Sequence, residues 1–226
     1  MSKSYSNTNS TGISTYHLSG HPELYEPSRS NAFEFIVDLS NSNALFEKNA
    51  VQKDEDTILA AGKNAATATD ADYITGISNI VRLSVSEAFV PHFDLGVIEI
   101  KRGNSTMKFA GSPTFSDGQL KCNDYVGART KDALLAWQRM AYDVVNDVVE
   151  LAGNYKRNCT LVEYAPDYSR IIRQWNLIGC WVKSLSEGSF SHDSNDKRSI
   201  DVTIVYDRAI PKIAEPLDPD KTLNQV

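Results

Sequence analysis

The chain has 226 residues, of which 41% are hydrophobic and 23% charged, the balance of a folded domain rather than of a disordered chain. Its formal net charge of −6 argues against general tight binding to nucleic acid, which needs a face rich in Lys and Arg. No apolar run approaches the roughly 20 residues of a membrane helix, and the polar N terminus lacks a signal peptide's apolar core. We therefore expect no membrane contact.

The two ends of the chain have the composition of non-globular segments. Residues 1–31 are rich in Ser, Asn and Thr without periodicity, which predicts a flexible N-terminal arm. Prolines at 211, 216 and 219 interrupt a charged C-terminal tail, residues 211–226. The globular domain is therefore predicted to span residues 32–210.

The first predicted strand covers residues 33–39. Its apolar side chains alternate with the rest, a period of two that is typical of a strand. Residues 41–76 then break the pattern and hold three Lys against six Asp and Glu, a net charge of −3. We interpret them as an inserted surface loop, in which the pattern allows a short helix at 54–61.

Residues 77–125 are again strand-like. Apolar runs at 80–90, 97–102, 106–110 and 119–122 are separated by turn residues such as Gly, Pro, Asn and Asp. Short strands with frequent turns predict an antiparallel sheet that doubles back or closes on itself.

One main helix is predicted at 131–151, with Thr130 as its N-cap and Gly153 near its end. Its apolar residues recur at helical spacing, which predicts a stripe packed on the outside of the sheet. We expect Trp137 and Val144 to anchor this stripe. The stripe consists of Leu134, Trp137, Ala141, Val144, Val145 and Val148.

The last third of the chain reads as strands at 159–165, 169–182 and 199–207, with a tight Pro-Asp turn at 165–168. The predicted fold is mostly β: a small antiparallel β-barrel or sandwich with one main flanking α-helix and extended terminal arms.

The cysteines and tryptophans are best explained by packing. Cys122, Cys159 and Cys180 are odd in number and lack paired metal-ligand spacing, so we expect buried thiols. Trp137, Trp175 and Trp181 offer a stacking platform for single-stranded nucleic acid as an alternative, but their places on predicted core elements favour core packing.

No catalytic, metal or cofactor site is predicted. His17 and His21 have the spacing of metal ligands on a helix, but Gly20 and Pro22 break such a helix. Ser191 and His192 are neighbours in a predicted turn and cannot form a hydrolase triad. Gly-rich phosphate loops are absent from the sequence. We therefore expect a non-enzymatic structural or interaction module without cofactors.

The order of several segments resembles the tail tube proteins of contractile-tailed bacteriophages. The resemblance begins with the run KFAGSPTFSDGQL at 108–120 and continues with a helix that carries Trp137. It extends through Tyr155-Lys156-Arg157, the segment WNLIGCW at 175–181 and the final strand VTIVYD at 202–207. The long arm, the insertion and Lys183, where that family often has Pro, depart from the pattern.

The resemblance implies a small β-barrel with a flanking helix, shared with type VI secretion tube proteins. It further implies hexameric rings that stack into a hollow tail tube within the virion, assembled in the host cytoplasm. The implied partners are further copies of the chain, the tail sheath, the baseplate and the tape-measure protein. DNA would pass through the lumen without specific binding, so we expect an acidic or neutral wall. Basic residues such as Arg170, Arg173 and Arg198 would then face subunit contacts or the sheath.

Three alternatives remain open at this point. Within the same class, the chain is a baseplate or tail-end tube-junction protein, or the tube of a bacterial contractile injection system. From another class, it is a carbohydrate-binding module for host attachment. A hydrolase that uses Ser191 or His192 is the third.

Overall fold

The computed structural model describes residues 27–39, 61, 70–127, 129–188, 192 and 197–213. The expectations for residues 1–26, for most of the 41–76 insertion with its short helix, and for residues 214–226 lie outside these ranges. The elements in chain order are β1 (Phe33–Asp38), α1 (Asp70–Ser84), β2 (Val85–Glu87), β3 (Phe93–Arg102), β4 (Ser105–Phe115), β5 (Gly118–Asn123), α2 (Thr130–Ala141), β6 (Tyr142–Asp143), β7 (Val148–Val149), α3 (Ala152–Tyr155), β8 (Arg157–Tyr164), β9 (Ile171–Glu187), β10 (Ser199–Val205) and β11 (Arg208–Ile213).

The main body is a curled antiparallel sheet with strand order β1-β8-β9-β10-β5-β2, in which β11 also pairs with β9. Two small sheets, β3-β4 and β6-β7, stand apart from it. The predicted mostly β fold is confirmed, because antiparallel strands dominate the described residues.

The long strand β9 belongs to both halves of the sheet. Its first part, up to Cys180, pairs with β8 on one edge and with β11 on the other, while its second part pairs with β10. The two parts meet at Gly179, whose φ of +72° lies in the left-handed region that favours glycine. Beside it, Lys156 Nζ donates to Asp207 Oδ2 at 2.7 Å. The sheet changes direction at this corner.

The core lies between one face of the sheet and the helices α1 and α2. Helix α1 packs against β1, and α2 packs against β9. The two helices also contact each other, where the buried hydroxyls of Ser84 and Thr130 share a 2.7 Å hydrogen bond. The largest fully buried side chains are Trp137, Phe35, Ile77, Leu134, Leu177, Ile200 and Ile204.

Helix α1 corrects two expectations at once. The sequence predicts an inserted loop through residue 76 and a strand at 80–90, but Asp70–Ser84 is one helix and only Val85–Glu87 is extended. Ile74, Ile77 and Val81 are buried at helical spacing. Ile80, Val81 and Leu83 lie so close together that the helical period is not visible within a short window. The predicted strand at 80–90 was therefore wrong.

The predicted helix at 131–151 is shorter than expected. Helix α2 ends at Ala141, and the chain then forms the β6-β7 hairpin. Asp143 stops the helix by accepting hydrogen bonds from the Val145 amide at 3.0 Å and from Asn146 Nδ2 at 2.8 Å. The β-branched valines that follow favour extended backbone. Thr130 is also not the N-cap, because that position falls on Arg129.

Two strands are longer than predicted. Strand β4 runs through Gly111, Ser112 and Pro113 to Phe115, since Pro113 lies in a two-stranded ribbon where a missing N–H is tolerated at an outer edge. Strand β11 includes Pro211 and ends at Ile213, so the first residues of the predicted tail belong to the sheet.

Candidate assembly surface

The most exposed ordered element is the β3-β4 hairpin. Its strands pair in register from Phe93 with Phe115 at the base to Arg102 with Ser105 at the tip, and neither strand joins the main sheet. Gly103, at a φ of +60°, makes the turn between them. Nearly every hairpin residue is exposed to solvent.

The outer part of this hairpin is amphipathic. Residues directly opposite each other in the register share a face of the ribbon. One face carries the ion pair between Lys108 Nζ and Glu99 Oε1 at 3.2 Å, with Lys101 and Thr106 beyond it. The opposite face carries four large apolar side chains that are 45–54% exposed: Ile98, Ile100, Met107 and Phe109.

The base of the hairpin is fixed to the core by aromatic contacts. Phe93 and Phe115 lie with their ring centroids 5.7 Å apart, and Phe115 meets Tyr206 edge-on at 6.0 Å. Phe89 stacks on Tyr206 at 5.6 Å. The hairpin is therefore held firmly at one end and presents its apolar face at the other.

This arrangement is typical of a contact site. A lone two-stranded hairpin is marginally stable in water, and contiguous exposed apolar side chains mark contact sites. Within the described residues no element covers the apolar face of Ile98 and Phe109. The hairpin is thus a candidate element for assembly.

A second exposed apolar surface lies at residues 142–151, which we call the valine turn. Its apolar side chains are Val144, Val145, Val148, Val149 and Leu151, with Val145 as much as 90% exposed. The Tyr142 hydroxyl donates to Asp147 Oδ1 at 2.5 Å, and this hydrogen bond raises the pKa of Tyr142. The turn therefore has a defined local structure although its apolar side chains face solvent.

Open strand edges form the third assembly feature. Strands β1 and β2 end the strand order of the sheet, and β11 pairs only with β9, so each leaves one edge without a strand partner among the described residues. Such edges form contacts with neighbouring chains by strand addition unless they are blocked.

Comparisons with known proteins agree with this description. The family model for the T4-like virus tail tube protein gp19 matches residues 70–209, more than half of the chain. The chain belongs to this tail tube family. The match includes the β3-β4 hairpin, the valine turn and the strands β2, β5, β8, β9 and β10 of the main sheet. Among curated proteins, none matches the sequence.

Solved structures of contractile assemblies share the fold. The chain is similar to a protein in the PVC sheath-tube complex of an extracellular contractile injection system, at 16% identity and a TM-score of 0.54, with 90% of this chain and 100% of that chain covered. For the anti-feeding prophage tube terminating cap, the identity is 14% and the TM-score 0.54, with 92% of this chain and 99% of that chain covered. For a protein of the anti-feeding prophage baseplate, the identity is 11% and the TM-score 0.51, with 84% of this chain and 98% of that chain covered. At these identities the likeness concerns the fold.

The tryptophans predicted to pack in the core are placed as follows. Trp137 is 2% exposed, and its Nε1 donates to the Tyr155 carbonyl at 3.4 Å. Trp175 is partly buried against the core, and Trp181 meets Tyr155 edge-on at 6.0 Å. The prediction that Val144 anchors the helix to the sheet was wrong, because Val144 is 69% exposed on the valine turn.

Among the other candidate residues, Cys159 and Cys180 lie side by side and share a hydrogen bond. Cys122, Cys159 and Cys180 are buried free thiols, as predicted. His192 is exposed, whereas His17, His21 and Ser191 fall outside the described residues. In the described ranges, no group of three or more His, Cys, Asp or Glu side chains is placed to hold a metal ion. The helices of those ranges are also too short or too polar to cross a bilayer.

The basic residues named from the sequence are partly paired. Arg173 Nη1 lies 3.4 Å from Glu163 Oε2, and Arg198 contacts Glu187. Glu187 also contacts Lys131 at 2.8 Å, and these cations hold the pKa of Glu187 below its usual value. Arg170 is half-buried.

The exposed apolar face of the β3-β4 hairpin was not predicted. The sequence predicts strands at 97–102 and 106–110 but no exposed apolar face on either of them. The signal was available in the register: apolar residues at 98 and 100 pair with those at 107 and 109 across a Gly-Asn turn. The period of two assigns each hairpin residue to one of the two faces of the ribbon. It does not show which of these faces another element covers.

Proposed function

We propose that this chain forms hexameric rings that stack into the inner tail tube of a contractile phage, the conduit for DNA delivery. The observation that carries the proposal is the uncovered apolar face of the β3-β4 hairpin, anchored at its base and exposed at its tip. Membership in the tail tube family supports it. A structural subunit of this kind needs surfaces that bind other copies and requires no catalytic group.

The open edges of the sheet fit the geometry of a ring. A head-to-tail contact between unlike surfaces of identical subunits closes into a ring when the rotation allows it. The edges of β1, β2 and β11 supply unlike surfaces on one subunit. We propose that residues 1–31 and the residues that follow β11, 214–226, add wrapping contacts between subunits, with the sheath, the baseplate and the tape-measure protein as further partners in the virion.

A second candidate has direct support from the fold comparisons. In fold, the chain is as similar to the anti-feeding prophage tube terminating cap as to the PVC sheath-tube protein, with a TM-score of 0.54 for each, and the baseplate protein follows at 0.51. The alternatives are therefore a tube-junction protein at the baseplate or tail end, or the tube of a bacterial injection system. A host-attachment module that binds carbohydrate is the remaining alternative, and glycan arrays would identify it.

Electron microscopy of the purified protein tests the main proposal. We expect long tubes, with capped single rings indicating the junction role instead. The variant Ile100→Lys/Phe109→Lys places charge on the apolar hairpin face and should leave folded monomers. The matched control Thr106→Lys alters the polar face of the same hairpin and should assemble normally. Monomeric wild-type protein at high concentration would contradict the proposal.

We also propose that the lumen wall is neutral or acidic, so that DNA slides through it. Residues 77–210 contain 16 Lys and Arg against 16 Asp and Glu, so the barrel is neutral as a whole. Pairing of Arg173 and Arg198 with glutamates reduces their attraction for phosphate. Assembled tubes should not retain duplex DNA at moderate salt. A lumen lined mainly by Lys and Arg would contradict this part of the proposal.

A further inference from the structure

We propose that the valine turn of one copy receives the basic tip of the β3-β4 hairpin of another copy. This inference rests on the proposed function, since it names the surface on a second copy that the β3-β4 hairpin contacts. Both surfaces belong to this chain, so the occupant is a second copy of the same protein.

The valine turn combines exposed apolar side chains with negative charge. Asp143, Asp147 and Glu150 contribute −3, and no Lys or Arg occurs between residues 140 and 155. Asp143 and Asp147 are held by hydrogen bonds within the turn, at 3.0 Å to the Val145 amide and at 2.5 Å from the Tyr142 hydroxyl. Their carboxylates are therefore fixed in place beside the exposed valines.

The outer part of the hairpin has the opposite character. Residues 99–108 contain Lys101, Arg102 and Lys108 against Glu99, a net charge of +2. Lys108 pairs with Glu99 across the strands at 3.2 Å, and Lys101 lies on that same face with Thr106, so Arg102 is the charge of the tip on the apolar face. Beside Arg102 lie the exposed apolar side chains Ile100 and Met107.

The two surfaces therefore match in both respects: each is apolar, and their charges are opposite. They do not cover each other within one copy, because Val145 is 90% exposed and Ile100 is 49% exposed in the same molecule. A contact between them must join two copies, and because the surfaces differ it is head-to-tail. Opposite charges fix the register of such a contact and oppose the like-charged pairings, tip on tip or turn on turn.

A charge-swap experiment tests this pairing. The tip variant is Arg102→Glu, the turn variant is Glu150→Lys, and the third protein combines both changes. We expect each half-swap to raise the critical concentration for tube assembly by about tenfold or more. The combined protein should recover to within about twofold of wild type. Raised salt should weaken wild-type assembly, because it screens the paired charges.

A gentler variant separates loss of contact from loss of fold. Asp147→Asn/Glu150→Gln removes two of the three charges but keeps an amide oxygen at each position, which can accept from the Tyr142 hydroxyl and from Asn154 Nδ2. It should melt as a monomer like wild type and still assemble less well. Thr106→Lys at the opposite face of the hairpin serves as the assembly control.

The outcomes distinguish this inference from the proposed function. If wild type forms tubes and both half-swaps also assemble at the wild-type concentration, the pairing is wrong and the tube function stands. The pairing is also wrong if the combined protein assembles no better than the half-swaps. If wild type forms no rings or tubes, both proposals fall together.

Discussion

Asp207 occupies the space beside Gly179 that any larger side chain at position 179 would need. A Cβ on Gly179 would overlap Oδ2 of Asp207, the atom that accepts the hydrogen bond from Lys156 Nζ at 2.7 Å. The Asp207 amide in turn donates to the Ile178 carbonyl at 2.9 Å. The corner of the sheet is thus locked by contacts that leave room only for glycine.

Gly179→Ala should therefore destabilise the fold. The left-handed backbone alone costs a non-glycine residue about 1–3 kcal/mol, and the displaced Asp207 adds to this. The control Gly127→Ala, where a Cβ meets nothing within 4 Å, should change the free energy of unfolding by less than about 0.5 kcal/mol. Urea titration of both variants measures the difference. Equal midpoints would show that the corner tolerates a side chain.

Trp137→Ala should cost about 3–5 kcal/mol, because the indole is 2% exposed and fills the core between α2 and the sheet. Val144→Ala should have almost no effect on the monomer, since Val144 is 69% exposed. Thermal or urea unfolding of the two variants under conditions that prevent assembly checks the contrast. Similar losses in both would mean that Val144 packs in the monomer after all.

Glu187 should make stability depend on pH. Hydrogen bonding and charge from Lys131, with charge from Arg198, lower the pKa of Glu187 in the folded state. A lowered folded pKa stabilises the fold above the unfolded value, near 4.3, and the gain is lost as the pH falls through the folded pKa. Glu187→Gln should thus be less stable than wild type at pH 7.

The difference between wild type and Glu187→Gln should shrink as the pH falls below about 4. A suitable control is Glu87→Gln, because Glu87 is largely exposed and its pair with Lys121 is longer, at 3.7 Å. Urea midpoints measured from pH 7 to pH 3 test the claim. A stability gap that stays constant over this range would contradict it.

The three thiols should be unreactive in the folded protein. Burial raises the pKa of Cys122 to about 12, and burial with a hydrogen bond to Cys180 raises the pKa of Cys159 well above its ordinary value. Since the thiolate is the nucleophile, labelling by a disulfide reagent at pH 8 should be slow. Unfolding in urea should release three thiols per chain.

Asn104→Cys provides the positive control, because position 104 lies at the exposed tip of the hairpin. That variant should label one thiol rapidly and the remaining three only after unfolding. Rapid reaction of wild type would mean that the sheet opens locally around Cys122 or Cys159.

Local pattern was sufficient to predict much of the sheet. Strand β10 alternates strictly, and its inward residues Ile200, Val202 and Ile204 are fully buried. The turn at 165–168 formed as expected, with the Tyr168 amide donating to the Ala165 carbonyl at 2.8 Å. In both places the local signal and the tertiary environment agree.

The errors arose where the two disagree. The valines after Ala141 continue a helical stripe in sequence, but the side chain of Asp143 bonds the local backbone and ends the helix. The exposure of the apolar faces of the hairpin and of the valine turn was equally hard to predict, because apolar residues in a regular pattern are normally assigned to the core. Only the three-dimensional packing of the described residues reveals that Phe109 and Val145 are exposed, at 47% and 90%.

The pairing of β1 with β8 has a consequence for how the chain is made. Phe33 lies opposite Glu163, so β1 leaves the ribosome roughly 130 residues before its partner strand. At typical synthesis rates that interval is on the order of ten seconds. During it the alternating apolar strand has no native neighbour to pair with, and neighbouring nascent chains on one message carry the same strand. Correct folding therefore requires β1 to stay unpaired until the last third of the domain emerges.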